Sequence, residues 1–405
     1  MEMVQPEDVG LSSSALRRID EHLASRYVNP GKIAGALTLV ARRGRVAFLS
    51  PLGNRDRERN LPVHADTIFR IYSMTKPITS VALMQLHERA VFQLTDPVHK
   101  WIPEWEHLRV YLYGSHPTFT TEPMRRPMTV RDLLTHQSGL SYSIMERTGV
   151  DVAYRKLGIG NGKGTLADMV KTLATLPLEF SPGEAWNYSV ATDVVGYLVE
   201  KMSGKPFDVY LRENVFEPLG MVDTGFTVPV DKLDRFAACY GRDRDKKLVL
   251  LDDPQDSPYG RPKTFFGGGS GLVSTAADYL RFAEMLRRGG ELDGVRLLGP
   301  RTVAFMAENH LPGGKDLAAL ARGSFSETRY EGVGFGLGVS VTVDPVRAQV
   351  PSSAGEYGWG GMASTAFWVD PKEELSVVFM TQLIPSTIYG FRTQLKSIVY
   401  GAIVD

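Results

Sequence analysis

Ser73 and Lys76 stand three residues apart, and Pro77 follows directly. Proline is tolerated in a helix only near its first turn, so we expect a helix to begin close to Ser73. Free backbone N–H groups and the positive end of the helix dipole would there favour an alkoxide or an oxyanion. Lys76 would lie on the same face one turn later, with its ammonium within reach of the hydroxyl. The spacing predicts a serine nucleophile with a lysine partner.

A structural interpretation of the same residues stays open, in which Ser73 is an N-cap and Lys76 a solvated lysine. Ser-x-x-Lys arises by chance about once or twice in a chain of this length. The following residues, however, are apolar on nearly all faces from Ile78 to Leu86, which is typical of a helix buried inside a protein. A lysine beside such a helix is harder to explain as a solvated residue.

Two later segments carry residues of a kind that could assist this serine. Tyr188 precedes a predicted helix, and a tyrosine near a lysine can shuttle a proton, although it can equally be a packing residue. Trp359, Gly360 and Gly361 lead into a predicted strand. Glycines there let a ligand approach the backbone closely, or else mark a bulge.

Composition excludes several classes of function. The 405 residues include 46 lysines and arginines and 46 aspartates and glutamates, so the formal net charge is zero. Nucleic acids and anionic membranes require a basic excess, and we expect neither as a partner. The one cysteine, Cys239, and eight scattered histidines argue against disulfides, metal centres and any cofactor. The amino terminus has no pattern typical of a signal peptide, so we expect a cytoplasmic protein.

The elements that must position these residues follow from hydrophobic periodicity and capping signals. Strands are predicted near both ends of the chain and helices between them, which indicates an α/β (α+β) fold. We expect an antiparallel sheet flanked by helices in residues 1–90 and 265–405, with a mainly helical domain inserted at 91–264. The predicted helices are 13–28, 78–86, 129–136, 166–176, 192–202, 275–287 and 388–403. The predicted strands are 33–40, 46–49, 67–71, 334–343, 364–369 and 375–381.

Three other features do not support competing chemistries. The glycine-rich stretch 158–165 lacks the first glycine and the Ser or Thr of a phosphate-binding loop. The run from Gly267 to Gly271 misses the Gly-x-Ser-x-Gly pattern, because Leu272 occupies the last glycine position. His136, beside Gln137-Ser138-Gly139, is interpreted as a structural residue that fixes this turn.

Taken together, the motifs resemble those of the serine β-lactamase and penicillin-binding-protein superfamily. Within it, the chain is most similar to the family VIII carboxylesterases, which share the class C β-lactamase fold. The resemblance extends from the helix near Ser13 to the helix ending near Ile403. The motifs follow the family's order: Ser73-Met74-Thr75-Lys76, Leu133-Leu134-Thr135-His136-Gln137-Ser138-Gly139-Leu140, Tyr188, and Trp359-Gly360-Gly361.

The resemblance implies roles for particular residues. Ser73 would be the nucleophile, with Lys76 and Tyr188 as the general base and acid that remove and return its proton. The backbone N–H groups of Ser73 and Met362 would form the oxyanion hole. The segment Trp359-Gly360-Gly361 would bind substrate. Which of Lys76 and Tyr188 is the kinetic base stays open, because such a pair titrates together.

Two departures from the class C pattern bear on the substrate. Class C enzymes have Tyr-x-Asn where this chain has Tyr188-Ser189-Val190, and Lys-Thr-Gly where it has Trp359-Gly360-Gly361. Without that lysine a cation for the carboxylate of a β-lactam or peptide is missing, and tryptophan offers a more apolar wall. We therefore expect a carboxylesterase acting on small, short-chain esters.

Other activities stay open for the same residues. The alternatives are a β-lactamase or D-amino-acid peptidase-like hydrolase, an acyltransferase to an alcohol, and a catalytically silent ligand-binding relative. Ser73, Lys76 and Tyr188 are all retained, which favours an enzyme over a silent relative. The oligomeric state is left open.

Overall fold

An eight-stranded antiparallel sheet dominates the computed structural model, which describes residues 2–323 and 329–405. Its strand order is β12-β13-β14-β15-β16-β1-β2-β3, so strands from both ends of the chain meet in one sheet. The expected antiparallel sheet with flanking helices is confirmed. The strands are β1 (Gly35–Arg42), β2 (Arg45–Asp56), β3 (Leu61–Pro62), β4 (Phe69–Arg70), β5 (Arg109–Ser115), β6 (Thr118–Pro123), β7 (Cys239–Arg242), β8 (Leu248–Asp252), β9 (Val273–Ser274), β10 (Glu291–Leu292), β11 (Val295–Arg296), β12 (Val333–Phe335), β13 (Ser340–Thr342), β14 (Tyr357–Gly360), β15 (Ala366–Asp370) and β16 (Leu375–Thr381).

Helices cover both faces of this sheet, and the middle of the chain combines helices with two hairpins and long connecting segments. They are α1 (Ser13–Leu23), α2 (Thr75–Glu88), α3 (Val130–Leu134), α4 (Gly149–Lys156), α5 (Leu166–Leu173), α6 (Ala191–Ser203), α7 (Phe207–Leu211), α8 (Glu217–Leu219), α9 (Ala276–Arg287), α10 (Pro300–Met306), α11 (Leu317–Leu320), α12 (Pro345–Ala348) and α13 (Phe391–Tyr400). In the part of the chain that the structure describes, no helix has both the length and the apolar character needed to cross a bilayer.

The central strands are buried on both faces because their alternating side chains enter two separate cores. In β1, Leu37 and Leu39 join the core that contains α2 and α9, whereas Ala36 and Val40 join the core beneath α1 and α13. Alternation with a period of two sends successive side chains of a strand to opposite faces. The near-continuous apolar character of β1 and β16 therefore reflects a sheet between two helical layers.

Helix α2 confirms the expected central helix, and it is longer than the apolar run alone indicated. Every residue from Thr75 to Leu86 is buried, including Lys76. A 3₁₀ turn, Tyr72–Met74, leads directly into it, so Pro77 falls in the first turn of the helix, where its missing N–H costs no hydrogen bond. The helix therefore starts just after Ser73, as the position of Pro77 predicted.

Several predicted boundaries are wrong for identifiable reasons. The single strand expected at 334–343 is a hairpin of β12 and β13, because Gly336 N–H donates to Val339 O and closes a turn. Helix α13 is shorter than the expected 388–403, since Gly390 precedes its first residue and Ile403 pairs with Leu11. The middle segment also contains two hairpins, β5–β6 and β7–β8, that the sequence did not predict.

Candidate active site

Ser73 projects from the 3₁₀ turn that precedes α2 into a cavity of about 660 Å³. Tyr72, directly before it, has a positive φ of 41°, which is uncommon for a residue with a side chain. Such backbone strain costs about 1–3 kcal/mol and is maintained by the packing around it. The neighbours of the turn are fully buried, with Ile71 and Met74 both at 0% exposure, so the hydroxyl is held by a rigid frame.

The structure brings Ser73, Lys76 and Tyr188 together. The Tyr188 hydroxyl lies 2.6 Å from Ser73 Oγ, and Lys76 Nζ lies 3.3 Å from the same oxygen. Tyr188 reaches this point from the loop before α6, more than a hundred residues along the chain. The ammonium also sits 4.5 Å from the centroid of the Tyr188 ring. Two groups able to exchange a proton thus meet at one hydroxyl oxygen.

Lys76 is held by further contacts that the sequence did not indicate. Its Nζ donates to the carbonyl oxygen of Gly269 at 2.7 Å and contacts the hydroxyl of Tyr142 at 3.2 Å. The side chain is fully buried. A carbonyl oxygen can only accept, so one N–H of Lys76 always points at Gly269. The remaining contacts are with the two hydroxyls of Ser73 and Tyr142.

Burial and nearby charges shift the pKa values of the titratable groups around Lys76. Burial, assisted by the nearby lysine, holds the pKa of His136 well below its ordinary value of 6.5, so this histidine is neutral. Burial raises the pKa of Asp193, while Lys76 and the hydrogen bond from Gly269 N–H oppose that rise. Burial and the charges of Asp193 and Tyr188 raise the pKa of Tyr142. The groups around Lys76 are therefore buried, and the charge of each one affects the pKa of its neighbours.

His136 connects two of the sequence motifs. It has a left-handed backbone with φ of 55°, and its carbonyl accepts the N–H of Asn187 at 2.9 Å. Its Nδ1 lies 3.2 Å from Ser189 Oγ, and its ring packs 5.0 Å from that of Tyr188. Both residues flanking Tyr188 are therefore tied to His136. The expected structural role agrees with this position.

The end of β14 lies against the nucleophile turn. A Cβ on Gly361 would stand 2.5 Å from the carbonyl oxygen of Ile71, so only glycine permits this approach. Gly361 N–H donates to Thr365 O at 2.8 Å, which fixes the turn after the strand. Within the described residues, neither Ser73 N–H nor Met362 N–H donates to a protein acceptor, and both residues line the cavity.

One wall of the cavity is aromatic. The Trp359 ring lies 5.6 Å from that of Tyr188 and 5.3 Å from that of Phe335. Trp359, Gly360 and Gly361 all line the same space as Ser73 and Met362. Tyr142, Ile144 and Gly160, from the long segment after the third helix, also line the cavity, and the Tyr142 ring lies 5.3 Å from that of Tyr188. All the site residues expected from the sequence except Lys76 thus line one cavity, and Lys76 is fully buried behind Ser73.

The sequence missed Tyr142, Asp193 and Gly269 as neighbours of Lys76. Their separation from Lys76 along the chain ranges from 66 to 193 residues, and only tertiary packing joins them. Asp193 offered one signal, since a carboxylate five residues after Tyr188 falls in the first turn of α6. Among the described residues, no group of three or more His, Cys, Asp or Glu side chains is arranged to hold a metal ion.

Comparison with known proteins agrees with this geometry. The model of the Beta-lactamase family matches residues 19–389. Esterase EstB of Burkholderia gladioli is 32% identical over an alignment that covers 98% of each chain. Protein Rv1367c of Mycobacterium tuberculosis is 36% identical, with 88% of this chain and 87% of that protein covered.

A solved structure extends the comparison to three dimensions. The chain is similar to EstCE1, described as a hydrolase with promiscuous acyltransferase activity, with a TM-score of 0.80 and 29% identity. That alignment covers 96% of this chain and 99% of EstCE1. The expected resemblance is confirmed, and the chain belongs to the beta-lactamase family, among its family VIII esterase relatives.

Proposed function

We propose that this protein hydrolyses short-chain carboxylic esters through an acyl-enzyme on Ser73. The class, a serine hydrolase of carboxylesterase type, rests on family membership and on the similarity to EstB and EstCE1. The observation that carries the catalytic assignment is the convergence of Tyr188 and Lys76 on Ser73 Oγ, at 2.6 and 3.3 Å.

In the first half-reaction, Ser73 Oγ attacks the acyl carbon while its proton passes to the Lys76–Tyr188 pair. The N–H groups of Ser73 and Met362 receive the negative charge that develops on the carbonyl oxygen. When the tetrahedral intermediate collapses, the ester C–O bond breaks and the pair returns the proton to the leaving alcohol. The product of this step is an acyl-Ser73 ester.

The second half-reaction repeats these steps with water in place of serine. Water gives a proton to the same pair and attacks the acyl carbon, and the bond to Ser73 Oγ then breaks. The pair returns the proton to Ser73, which releases a carboxylic acid and restores the resting enzyme. One Lys76–Tyr188 pair therefore serves as base and acid in both half-reactions, because the second half-reaction is the reverse of the first with water in place of the alcohol.

The aromatic wall supports an uncharged acyl group as substrate. Trp359 takes the position at which class C enzymes carry a lysine, and Tyr188 and Phe335 extend its apolar surface. A cavity of about 660 Å³ with this wall suits a small ester held by apolar burial, with few polar contacts for orientation. The guanidinium groups of Arg329 and Arg392 border the same cavity.

We also propose that the cavity lies between two parts of the chain, residues 1–90 with 265–405, and residues 91–264. Ser73 and Trp359 belong to the first part. Tyr142, Ile144 and Tyr188 belong to the second. A site between two parts is a common position for a ligand-binding cleft.

A second candidate function is transfer of the acyl group to an alcohol. The open cavity has room for an alcohol beside the acyl group, and EstCE1 is described as having promiscuous acyltransferase activity. Adding a primary alcohol to the ester assay would divert acyl product from the acid to a new ester if transfer occurs. A product that is acid alone at every alcohol concentration would exclude this activity.

The experiment that tests the proposed function is hydrolysis of p-nitrophenyl acetate and butyrate by wild type and Ser73→Ala. We expect wild type to release p-nitrophenol and Ser73→Ala to be slower by at least about 10³-fold, because removal of the nucleophile leaves only residual catalysis by binding and the oxyanion hole. Turnover in Ser73→Ala similar to wild type would exclude the acyl-Ser73 route.

A further inference from the structure

The glycine run Gly267–Gly269 lies directly against α2. The reaction steps proposed above assign it no role. The carbonyl oxygen of Gly268 accepts the Thr79 hydroxyl at 2.7 Å, and that of Gly269 accepts Lys76 Nζ at 2.7 Å. Thr79 and Lys76 are on neighbouring turns of one face of the helix. The run therefore presents consecutive carbonyl groups to the helix that carries the lysine.

Asp193 fixes this run from the opposite side. Its Oδ1 accepts the N–H of Gly269 at 2.9 Å, and only 3% of the residue is exposed. A Cβ on Gly269 would stand 2.6 Å from Asp193 Oδ2 and 2.9 Å from the Tyr142 hydroxyl. Asp193 and Tyr142 thus enclose Gly269 so closely that no side chain fits there. The peptide that receives Lys76 has little freedom to move.

The charge of Asp193 gives this residue a second effect on Lys76. Lys76 is fully buried, and among the described residues no carboxylate forms a direct ion pair with it. A buried cation is costly unless an anion or hydrogen bonds compensate it. Asp193, Tyr142, Tyr188 and the neutral His136 all face the lysine. Among these four groups, only Asp193 is a carboxylate. Its negative charge therefore attracts the ammonium across Gly269.

We propose that Asp193 is a positioning residue for Lys76, acting through the peptide of Gly269. The carboxylate holds Gly269 in place and attracts the lysine, so that the ammonium stays 3.3 Å from Ser73 Oγ. Asp193 does not line the cavity and would not touch substrate. This inference rests on the proposed function, because Lys76 matters to the rate only if Ser73 is the nucleophile.

The test compares Asp193→Asn and Asp193→Ala with wild type. In each variant we would measure kcat and KM for p-nitrophenyl acetate, the rate of Ser73 labelling by a p-nitrophenyl phosphonate, and the melting temperature. Asp193→Ala loses both charge and acceptor, and we expect kcat and the labelling rate to fall about 10²-fold with KM within about twofold. Asp193→Asn keeps an acceptor oxygen for Gly269 N–H, and we expect an intermediate loss of about tenfold.

Asp278→Asn is the matched control, since Asp278 is also a buried carboxylate that accepts a backbone N–H, from Asp223, and has no contact with Lys76. We expect its kcat to equal that of wild type. Unchanged kcat and labelling rate in Asp193→Asn and Asp193→Ala would overturn the inference, as would a rise in KM alone. If Asp193→Ala does not fold, an unchanged kcat in Asp193→Asn is sufficient to overturn it.

Ser73→Ala in the same assay separates the two proposals. If Ser73→Ala is inactive and the Asp193 variants are normal, the positioning role is wrong and the acyl-enzyme route stands. If Ser73→Ala retains wild-type turnover, the proposed function itself fails.

Discussion

Tyr188 makes the shortest contact to Ser73 Oγ, at 2.6 Å, and so offers the most direct route for the serine proton. The Lys76 ammonium lies 4.5 Å from the centroid of the Tyr188 ring, so both partners of the proton transfer are in contact. A phenyl ring in its place would keep the packing with Trp359 and remove only the hydroxyl.

We therefore expect Tyr188→Phe to lower kcat for p-nitrophenyl acetate by about 10²- to 10⁴-fold, with little change in KM. Steady-state kinetics on the purified variant would measure this. Tyr113→Phe is the control, because Tyr113 is 65% exposed on the β5–β6 hairpin, and it should behave as wild type. A Tyr188→Phe variant with a kcat within twofold of wild type would remove Tyr188 from the proton path.

His136 supplies a prediction on pH that does not depend on activity. Its pKa is held well below 6.5 in the folded protein, so below pH 6.5 the unfolded chain binds a proton that the folded chain does not. The contribution of His136 to the free energy of unfolding must then decrease as pH falls from about 6.5, by up to about 1.4 kcal/mol per pH unit.

His136→Asn removes this titration and keeps a residue type that tolerates the positive φ. We expect urea unfolding between pH 7 and pH 5 to show a shallower loss of stability in His136→Asn than in wild type. His107→Asn, at a histidine whose side chain is 90% exposed, should follow wild type. Parallel curves for wild type and His136→Asn would contradict the buried, neutral histidine.

At the scale of elements, the site depends on how closely β14 and the turn before α2 approach each other. Gly361 permits this approach, because a Cβ there would collide with the backbone of Ile71. The collision is with a main-chain carbonyl, so a larger residue must displace either the strand end or the turn. Either shift would move Met362 N–H relative to Ser73.

We expect Gly361→Ala to lower kcat/KM for esters by about 10²-fold, as misplacement of about 1 Å does in other enzymes. Gly390→Ala is the control, since Gly390 has a φ of −80° and open space where a Cβ would stand. Ester kinetics would be accompanied by thermal unfolding to register any loss of stability. Full activity in Gly361→Ala would argue against an oxyanion hole that includes Met362.

The elements also show how far the sequence could predict the site. Ser73 and Lys76 share one helix start, and the capping box of Thr129 and Asp132 was visible and is present. These are local features, set by residues three or four positions apart. The hairpin β5–β6 was missed because its sequence lacks a sustained apolar alternation. Helix α4 was missed because it is only eight residues long, although Thr148 and Asp151 form a capping box at its start. The glycine run at 267–269 was correctly excluded as a hydrolase elbow, but its contact with Lys76 depends on tertiary packing alone.

At the scale of the whole molecule, the two ends of the chain build one sheet, and residues from the middle of the chain are among those that line the cavity. Zero net charge, expected from composition, is consistent with a substrate recognised by apolar contact more than by charge. The tryptophan that replaces the class C lysine faces the cavity. Arg329 also lines the cavity, and the guanidinium of Arg392 lies beside Gly360, 2.9 Å from where a Cβ on that residue would stand. The cavity therefore combines an aromatic wall with arginine side chains.

We expect a chromogenic cephalosporin to be turned over with a kcat/KM at least about 10²-fold below that of p-nitrophenyl butyrate, because the strand lacks the lysine that would meet the lactam carboxylate. Parallel assays on one enzyme preparation would measure the ratio. We expect Trp359→Lys to bring the two kcat/KM values closer together, because it weakens turnover of the ester. Comparable kcat/KM values for the two substrates in wild type would contradict the apolar wall as the source of selectivity.

The claim on which the other predictions depend is that Ser73 is the nucleophile. A fluorophosphonate would test it most directly, with intact mass and peptide mapping on wild type and Ser73→Ala. We predict a single adduct on Ser73 in wild type, loss of esterase activity in proportion to labelling, and no adduct in Ser73→Ala. Labelling of another residue, or full activity in a protein whose Ser73 is completely modified, would contradict the account.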